Sequence, residues 1–180
     1  MKDMSNHLVD VVNIKDEVIG VRNKHEKEDA DFISRVIAVF LFDNEKRLLL
    51  CKRAPNKKYS PNLYDCSAVG AVISNETYED AAKRELKEEL DIECDLVLLA
   101  RFYEEAEMDK NGSKLKYFCS VFMGITEEIP HLNEELSEIK KICMSELKNE
   151  MRSNKEKFCP GFVNDFAHTE KILRDKYQIF

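Results

Sequence analysis

The strongest signal in this chain of 180 residues is the segment GAVISNETYEDAAKRELKEELDI, residues 70–92. Residues 77–90 have helical character, and Thr77 is a good N-cap. Glu85, Glu88 and Glu89 stand at positions i, i+3 and i+4, so they share one face of that helix. The segment therefore predicts a helix that presents three carboxylates together.

Two interpretations of these carboxylates compete, a solvated surface and a metal site. Helices rich in Glu and Lys usually expose their charges to water. Here Lys83 and Lys87 fall on the opposite side of the helix, whereas the small residues Ala81 and Ala82 share the carboxylate side. They would let the helix approach Gly70, whose segment could lend a backbone carbonyl. Carboxylates crowded at such a surface repel one another unless a cation neutralises them, so we favour a site for Mg²⁺, Mn²⁺ or Ca²⁺.

Apolar runs on both sides of the segment predict strands. Residues 8–14 and 17–22 are short and β-branched and predict an N-terminal hairpin over about 8–22. Residues 34–42 and 46–52 predict two antiparallel core strands joined by a tight turn. The loop of residues 53–62 contains two prolines and several cations, and loops placed in this way often carry sites.

The remaining segments complete a mixed α/β pattern. Extended structure is predicted at 63–73, 92–102, 115–125 and 139–144, with a polar turn at 109–113. A helix capped by Ser145 and a last helix from Pro160 to about Lys176 follow. Strands mixed with about three helices predict a single α/β/α domain over residues 1–180, built on a mixed sheet.

Composition limits the class of protein. A content of 43% hydrophobic residues is enough for one sizeable core. The net charge of −7, with no long basic run, disfavours a nucleic-acid polymer as partner. Neither a membrane span nor a secretory signal is present, so we expect a soluble cytoplasmic protein with no membrane partner. Six scattered cysteines indicate reduced thiols. The oligomeric state stays open.

Residues 70–92 resemble the Nudix box, in which a glycine, five residues, a glutamate and seven residues precede Arg-Glu-apolar-x-Glu-Glu. The matching residues are Gly70, Glu76, Arg84, Glu85, Leu86, Glu88 and Glu89, closed by the apolar Ile92. Asp91 stands where the family usually has a glycine that ends the helix in a left-handed conformation. Aspartate tolerates this conformation at modest cost, so we expect an intact site. The resemblance implies a Nudix-type α/β/α sandwich with a mixed β-sheet.

The resemblance also implies a metal-dependent hydrolase that cleaves a diphosphate linkage in a small organic or nucleoside diphosphate. Glu88 and Glu89 would bind Mg²⁺, or Mn²⁺ in its place, with the carbonyl of Gly70 as a further ligand. Glu85 would be a ligand or the base that deprotonates the attacking water, and Arg84 would orient Glu85. The reaction would be displacement at phosphorus without a covalent enzyme intermediate.

Many Nudix hydrolases place an extra ligand or base on a mobile loop, and Glu135 is the candidate for it here. A solvated acidic turn is the competing interpretation, since Glu134 and Glu138 lie nearby.

The segment KRAPNKKYSPNLYD, residues 52–65, resembles the stretch before the box in isopentenyl diphosphate isomerases and in hydrolases related to them. That resemblance implies that Arg53 and Lys57, at positions i and i+4, contact the diphosphate of the substrate. Arginine can bind two phosphate oxygens at once, whereas lysine offers a movable point charge.

The isomerases themselves need a cysteine immediately before the box glycine and a glutamate in a following strand. Here Val69 takes the first position, and the strand offers Leu115 and Tyr117. Proton transfer at carbon cannot run on a valine and a leucine, so hydrolysis is favoured. An isomerase-like protein and a non-catalytic diphosphate-binding module remain the alternatives.

Overall fold

The structure, a computed structural model, describes residues 8–28, 31–107 and 114–180. The described strands are β1 (Leu8–Val12), β2 (Val18–Asn23), β3 (Ile33–Phe42), β4 (Leu48–Arg53), β5 (Tyr64–Asp65), β6 (Ala68–Ala71), β7 (Leu96–Glu107), β8 (Lys114–Ile125) and β9 (Leu136–Ile142). The described α-helices are α1 (Tyr78–Leu90), α2 (Met144–Ser153) and α3 (Pro160–Tyr177). None of these helices is long and apolar enough to cross a bilayer.

Strand β3 is the centre of the sheet. It pairs with β8 in parallel and with β6 antiparallel, and its ends meet β1 and β4. Phe40 and Phe42 face the apolar cluster that includes α2 and α3, whereas Val39 and Leu41 face the cluster that includes α1. A strand covered on both faces needs a continuous apolar run, which explains the sequence of β3. The predicted α/β/α sandwich on a mixed sheet is confirmed.

The predicted hairpins are also present. Strands β1 and β2 pair antiparallel, as do β3 and β4. Strand β7 begins at Leu96, later than the predicted residue 92. Ile92 is fully buried in the α1 cluster, so its apolar character reflects a core contact that precedes the strand. The turn predicted at 109–113 lies outside the described residues.

The predicted cap at Ser145 is wrong. Helix α2 begins at Met144, and its N-cap is Cys143, which makes no side-chain capping bond. The backbone of Cys143 is still extended, with φ −76° and ψ 154°, so Ser145 already lies inside the first turn. Its hydroxyl contacts the Sγ of Cys143 at 3.3 Å.

Helix α1 has both of its predicted ends. The hydroxyl of Thr77 accepts a hydrogen bond from the backbone N–H of Asp80 at 3.1 Å, as an N-cap does. At the other end Asp91 adopts the left-handed conformation, with φ 58° and ψ 35°. Its backbone N–H donates to the carbonyl of Lys87, and its carboxylate lies 2.6 Å from the Nζ of the same lysine.

Candidate active site

The carboxylate face of α1 borders a cleft of about 650 Å³ that also touches β6 and the loop before β9. The charged side chains that line it are Lys24, Lys57, Arg84, Glu85, Glu88, Glu89, Glu134 and Glu135. Gly70 lies in the same wall. The structure thus brings together all of the residues predicted for metal binding and catalysis.

Glu85 packs directly on Gly70. A Cβ at position 70 would collide with the Cδ and Oε1 atoms of Glu85, so glycine is required for this contact. The approach of α1 to β6 is possible because Ala81 and Ala82, both fully buried, take little space between them. The small residues on both elements therefore allow the Glu85 carboxylate to lie against β6.

Arg84 is held by several acceptors at once. Its Nε donates to Glu76 at 2.8 Å, and its Nη2 donates to the other oxygen of Glu76 and to the carbonyl of Ala71, both at 3.0 Å. Its Nη1 donates to Glu85 at 2.7 Å and to Glu88 at 3.3 Å. Because Glu76 binds it through two parallel bonds, Arg84 can fix the orientation of Glu85.

The cleft carries negative charge that its own cations do not balance. Burial raises the pKa of the Glu85 carboxyl, Arg84 opposes that rise, and Glu88 adds to it. Burial, together with Glu85, Asp65 and Glu135, raises the pKa of Glu89 well above its ordinary value, although Lys57 opposes this. The half-buried Glu89 carboxylate makes no hydrogen bond or ion pair with any residue that the structure describes.

This donor set fits a hard divalent cation. Carboxylate and carbonyl oxygens select Mg²⁺ or Mn²⁺ over softer metals. A cation bound beside Glu89 would offset the repulsion between its carboxylate and that of Glu85. Within the described ranges, no three His, Cys, Asp or Glu side chains already stand in a metal-binding arrangement. Arg84 instead bonds to Glu85 and Glu88.

The two predicted phosphate-binding cations lie in different places. Lys57 lines the cleft, where its Nζ is 2.9 Å from Glu135. Arg53 lines a neighbouring cavity, where its Nη1 lies 3.3 Å from Asp65 and its Nε donates to the carbonyl of Tyr59. Residues 54–63 form a loop, as predicted, and residues four apart in a loop need not share a face.

Several residues of the site were not predicted. Lys24 lines the cleft from a short 3₁₀ helix (Lys24–Glu28) that the sequence indicated only as a polar connection. Asn133 also lines it and donates to the backbone carbonyl of Glu88 at 3.3 Å. Neither residue has a periodic or spacing signal, because tertiary packing alone brings each one to α1.

Comparisons with known proteins place the chain among its relatives. Residues 32–162 match the model of the NUDIX domain. A protein of Deinococcus radiodurans named Nudix hydrolase is 39% identical over 53% of this chain and 56% of its own length, so this chain spans little more than half of it. An isopentenyl-diphosphate Delta-isomerase of Pectobacterium atrosepticum is 28% identical over 94% of this chain and 93% of that protein.

Two further comparisons cover most of the chain. A prenyl-diphosphate phosphatase of Methanosarcina mazei is 28% identical over 94% of this chain and 99% of that protein. A crystal structure from Deinococcus radiodurans superposes with a TM-score of 0.66 and 28% identity, over 82% of this chain and 90% of that one.

Proposed function

Since this chain belongs to the Nudix family, in a branch related to isopentenyl-diphosphate isomerase, we propose that it is a hydrolase that cleaves a diphosphate linkage by attack of water at phosphorus. The substrate is a small organic or nucleoside diphosphate. The observation that carries the proposal is that two half-buried carboxylates, those of Glu85 and Glu89, line one cleft. Arg84 holds the first of them against Gly70.

The residues that would hold Mg²⁺ or Mn²⁺ are Glu85, Glu88, Glu89 and, through its carbonyl, Gly70. Glu135 is the additional candidate, from the loop before β9 that also lines the cleft. When bound, the ion would polarise a phosphoryl oxygen and lower the pKa of an attacking water.

Glu85 and Arg84 would have separate roles in the reaction. Glu85 is either a ligand of the ion or the acceptor of the proton from water. Arg84, held by Glu76, keeps the carboxylate in place while substrate enters. Orientation of this kind matters because small displacements of a reacting group cost large factors in rate.

The cations would balance the charge of the diphosphate. Lys57 lies in the cleft and would exchange its contact with Glu135 for a phosphate oxygen. Lys24 lines the same cleft, where its charge lowers the pKa of Glu85, and it adds a second positive charge. Arg53 would reach the substrate from the neighbouring cavity, on the side of the organic group.

The alternatives have less support. An isomerase-like reaction needs a proton carrier beside Gly70, and the residue there is Val69, which lines both cavities. A module that only binds diphosphate has no use for a carboxylate held by an arginine as Arg84 holds Glu85.

The test is phosphate release from the purified chain with Mg²⁺ and a panel of nucleotide sugars, dinucleoside polyphosphates, nucleoside triphosphates and prenyl diphosphates. Glu85→Gln and Glu89→Gln should each lower the rate on the best substrate by roughly 100-fold or more. Glu79→Gln is the matched control, because Glu79 lies on the same helix but pairs with Lys83 at the surface. Rates within threefold of wild type in both cleft variants, with unchanged circular dichroism, would contradict the mechanism.

A further inference from the structure

A second cavity, of about 400 Å³, adjoins the carboxylate cleft, and the two share Val69 and Gly70 as a common wall. Its lining comes from β8, from the loop after β4 and from the first turns of α3. Most of its side chains are apolar, among them Leu115, Tyr117 and Phe162. A substrate whose diphosphate occupies the cleft would extend its organic group into this cavity.

Two buried carboxyls interrupt the apolar lining: Asp65 on β5, which pairs with Arg53, and Asp165 on α3. Only 5% of Asp165 is exposed. Its Oδ1 accepts a weak hydrogen bond from the Sγ of Cys119 at 3.4 Å. Its other oxygen has no partner among the described residues. Every fully buried side-chain oxygen in the described part of the chain has a hydrogen-bond partner. Because this oxygen has none, it is not fully buried, and we infer that it faces the cavity that Asp165 lines.

No cation neutralises Asp165 within the described residues. Arg53 lines the same cavity, but its guanidinium pairs with Asp65 at 3.3 Å. Burial and the nearby carboxylates of Asp65 and Glu104 together raise the pKa of Asp165 to about 7, although the Cys119 bond opposes this rise. Near neutral pH the carboxyl therefore exchanges between a donor form and an acceptor form.

We propose that Asp165 is a specificity-determining residue that hydrogen-bonds a hydroxyl group on the organic part of the substrate, an inference that rests on the proposed diphosphate hydrolysis. A hydroxyl both donates and accepts, so it matches either form of the carboxyl. An ammonium group has no acceptor function, so it matches only the ionised form of the carboxyl, and it would also lose its hydration inside the cavity. The hydroxyl belongs either to an aliphatic alcohol or to a sugar.

A matched pair of ligands, the butyl and 4-hydroxybutyl esters of methylenediphosphonate, isolates the contact, because their P–C–P bridge cannot be hydrolysed during the measurement. Dissociation constants measured by calorimetry with Mg²⁺ should favour the hydroxylated ligand by roughly tenfold or more, because a site built for a hydroxyl rejects an analogue that lacks it. Asp165→Leu should remove this preference, and Asp165→Asn should retain part of it. Asp175→Leu is the control on α3, since Asp175 lies at the exposed end of the helix. Ribose 5-diphosphate distinguishes a sugar hydroxyl from an aliphatic one.

A second variant tests the cavity without altering the carboxyl. Gly161 lines the cavity, and a Cβ there would meet no atom within 4 Å, so Gly161→Leu should fold and occupy open space. It should weaken the binding of both ligands by about tenfold or more.

Equal affinity of the wild-type protein for the two ligands, no binding of either, or full binding by Gly161→Leu would each overturn the inference. An unchanged preference in folded Asp165→Leu would do so as well. If the preference shifts as expected while no substrate of the panel releases phosphate, the proposed hydrolysis fails and the specificity contact stands.

Discussion

The position of Glu85 depends on two residues, Gly70 on the neighbouring strand β6 and Arg84, which precedes it on α1. Because Gly70 has no side chain, the Glu85 carboxylate can lie against β6. Arg84 donates a hydrogen bond to one oxygen of that carboxylate at 2.7 Å. A carboxylate fixed from two sides loses little freedom when substrate binds, which is the condition for effective positioning.

Gly70→Ala should disrupt this arrangement while leaving the fold recognisable. The added methyl collides with the Glu85 carboxylate, so the side chain must leave its place against β6. We expect phosphate release to fall by at least about tenfold. The free energy of unfolding should fall by no more than about 1 kcal/mol, because the nearest atoms that the methyl meets all belong to the flexible end of Glu85, which can move aside. Urea denaturation and single-substrate kinetics measure both effects.

Gly20→Ala is the control for that substitution, since a Cβ at Gly20 on β2 meets no atom within 4 Å. It should keep wild-type activity. If Gly70→Ala were as active as Gly20→Ala, the close packing of Glu85 would have no role in catalysis.

Residue-level prediction from the sequence works where spacing along one helix decides the outcome. Glu85, Glu88 and Glu89 share a cleft because positions i, i+3 and i+4 share a face. The sequence gives no comparable signal for Lys24 or Asp165, because each reaches its cavity from a distant element.

At the scale of the element, α1 depends on its two ends. Thr77 caps the first turn, and Asp91 closes the last one in a left-handed conformation that costs a non-glycine residue free energy. The ion pair of Asp91 with Lys87 offsets little of that cost, because both side chains are at least half exposed.

Asp91→Gly should therefore stabilise the protein. The gain from relaxing the left-handed backbone is about 1 kcal/mol, and the lost surface ion pair is worth less than that. We expect a small rise in the midpoint of thermal unfolding with unchanged activity, since Asp91 lies outside the cleft. Asp91→Asn removes the charge but keeps a side chain, so it separates the two contributions. A fall in stability for Asp91→Gly would show that the ion pair with Lys87 outweighs the backbone strain.

Element boundaries are predicted less well than element types. The sequence predicts that the strand begins at Ile92, because a buried apolar residue in a connection cannot be told from one in a strand. Serine is a good cap, which predicts the cap at Ser145, but the observed cap is Cys143, two residues earlier. In both cases packing beyond the local sequence sets the boundary.

At the scale of the whole molecule, the sheet separates two apolar clusters and brings both cavities to one wall. Helix α1 covers one face and supplies the carboxylates, while α3 covers the other face and supplies Asp165. Strand β6, only four residues long, lies between the cleft and the second cavity through Val69 and Gly70. This arrangement explains why Arg53 and Lys57, four residues apart on one loop, line different cavities.

The proposed metal site predicts that divalent cations stabilise the fold. Glu85 and Glu89 repel each other only when folding brings them together, and burial raises the pKa of both. A cation that binds this folded cluster and not the unfolded chain stabilises the protein by about 2.7 kcal/mol at a concentration 100 times its dissociation constant. For a chain of this length we expect the unfolding midpoint to rise by about 5–10 °C in saturating Mg²⁺ or Mn²⁺, and chelation to reverse the rise.

The double variant Glu85→Gln/Glu89→Gln provides the sharpest comparison. Without metal its midpoint should lie above that of the wild-type protein, because the repulsion between the two carboxylates is gone. Its response to Mg²⁺ should be lost, because amides are poor substitutes for carboxylate ligands. The control, Glu79→Gln, should respond like the wild type, since Glu79 pairs with Lys83 outside the cleft. An equal rise in midpoint for the wild type and the double variant would mean that the cation binds elsewhere on the protein.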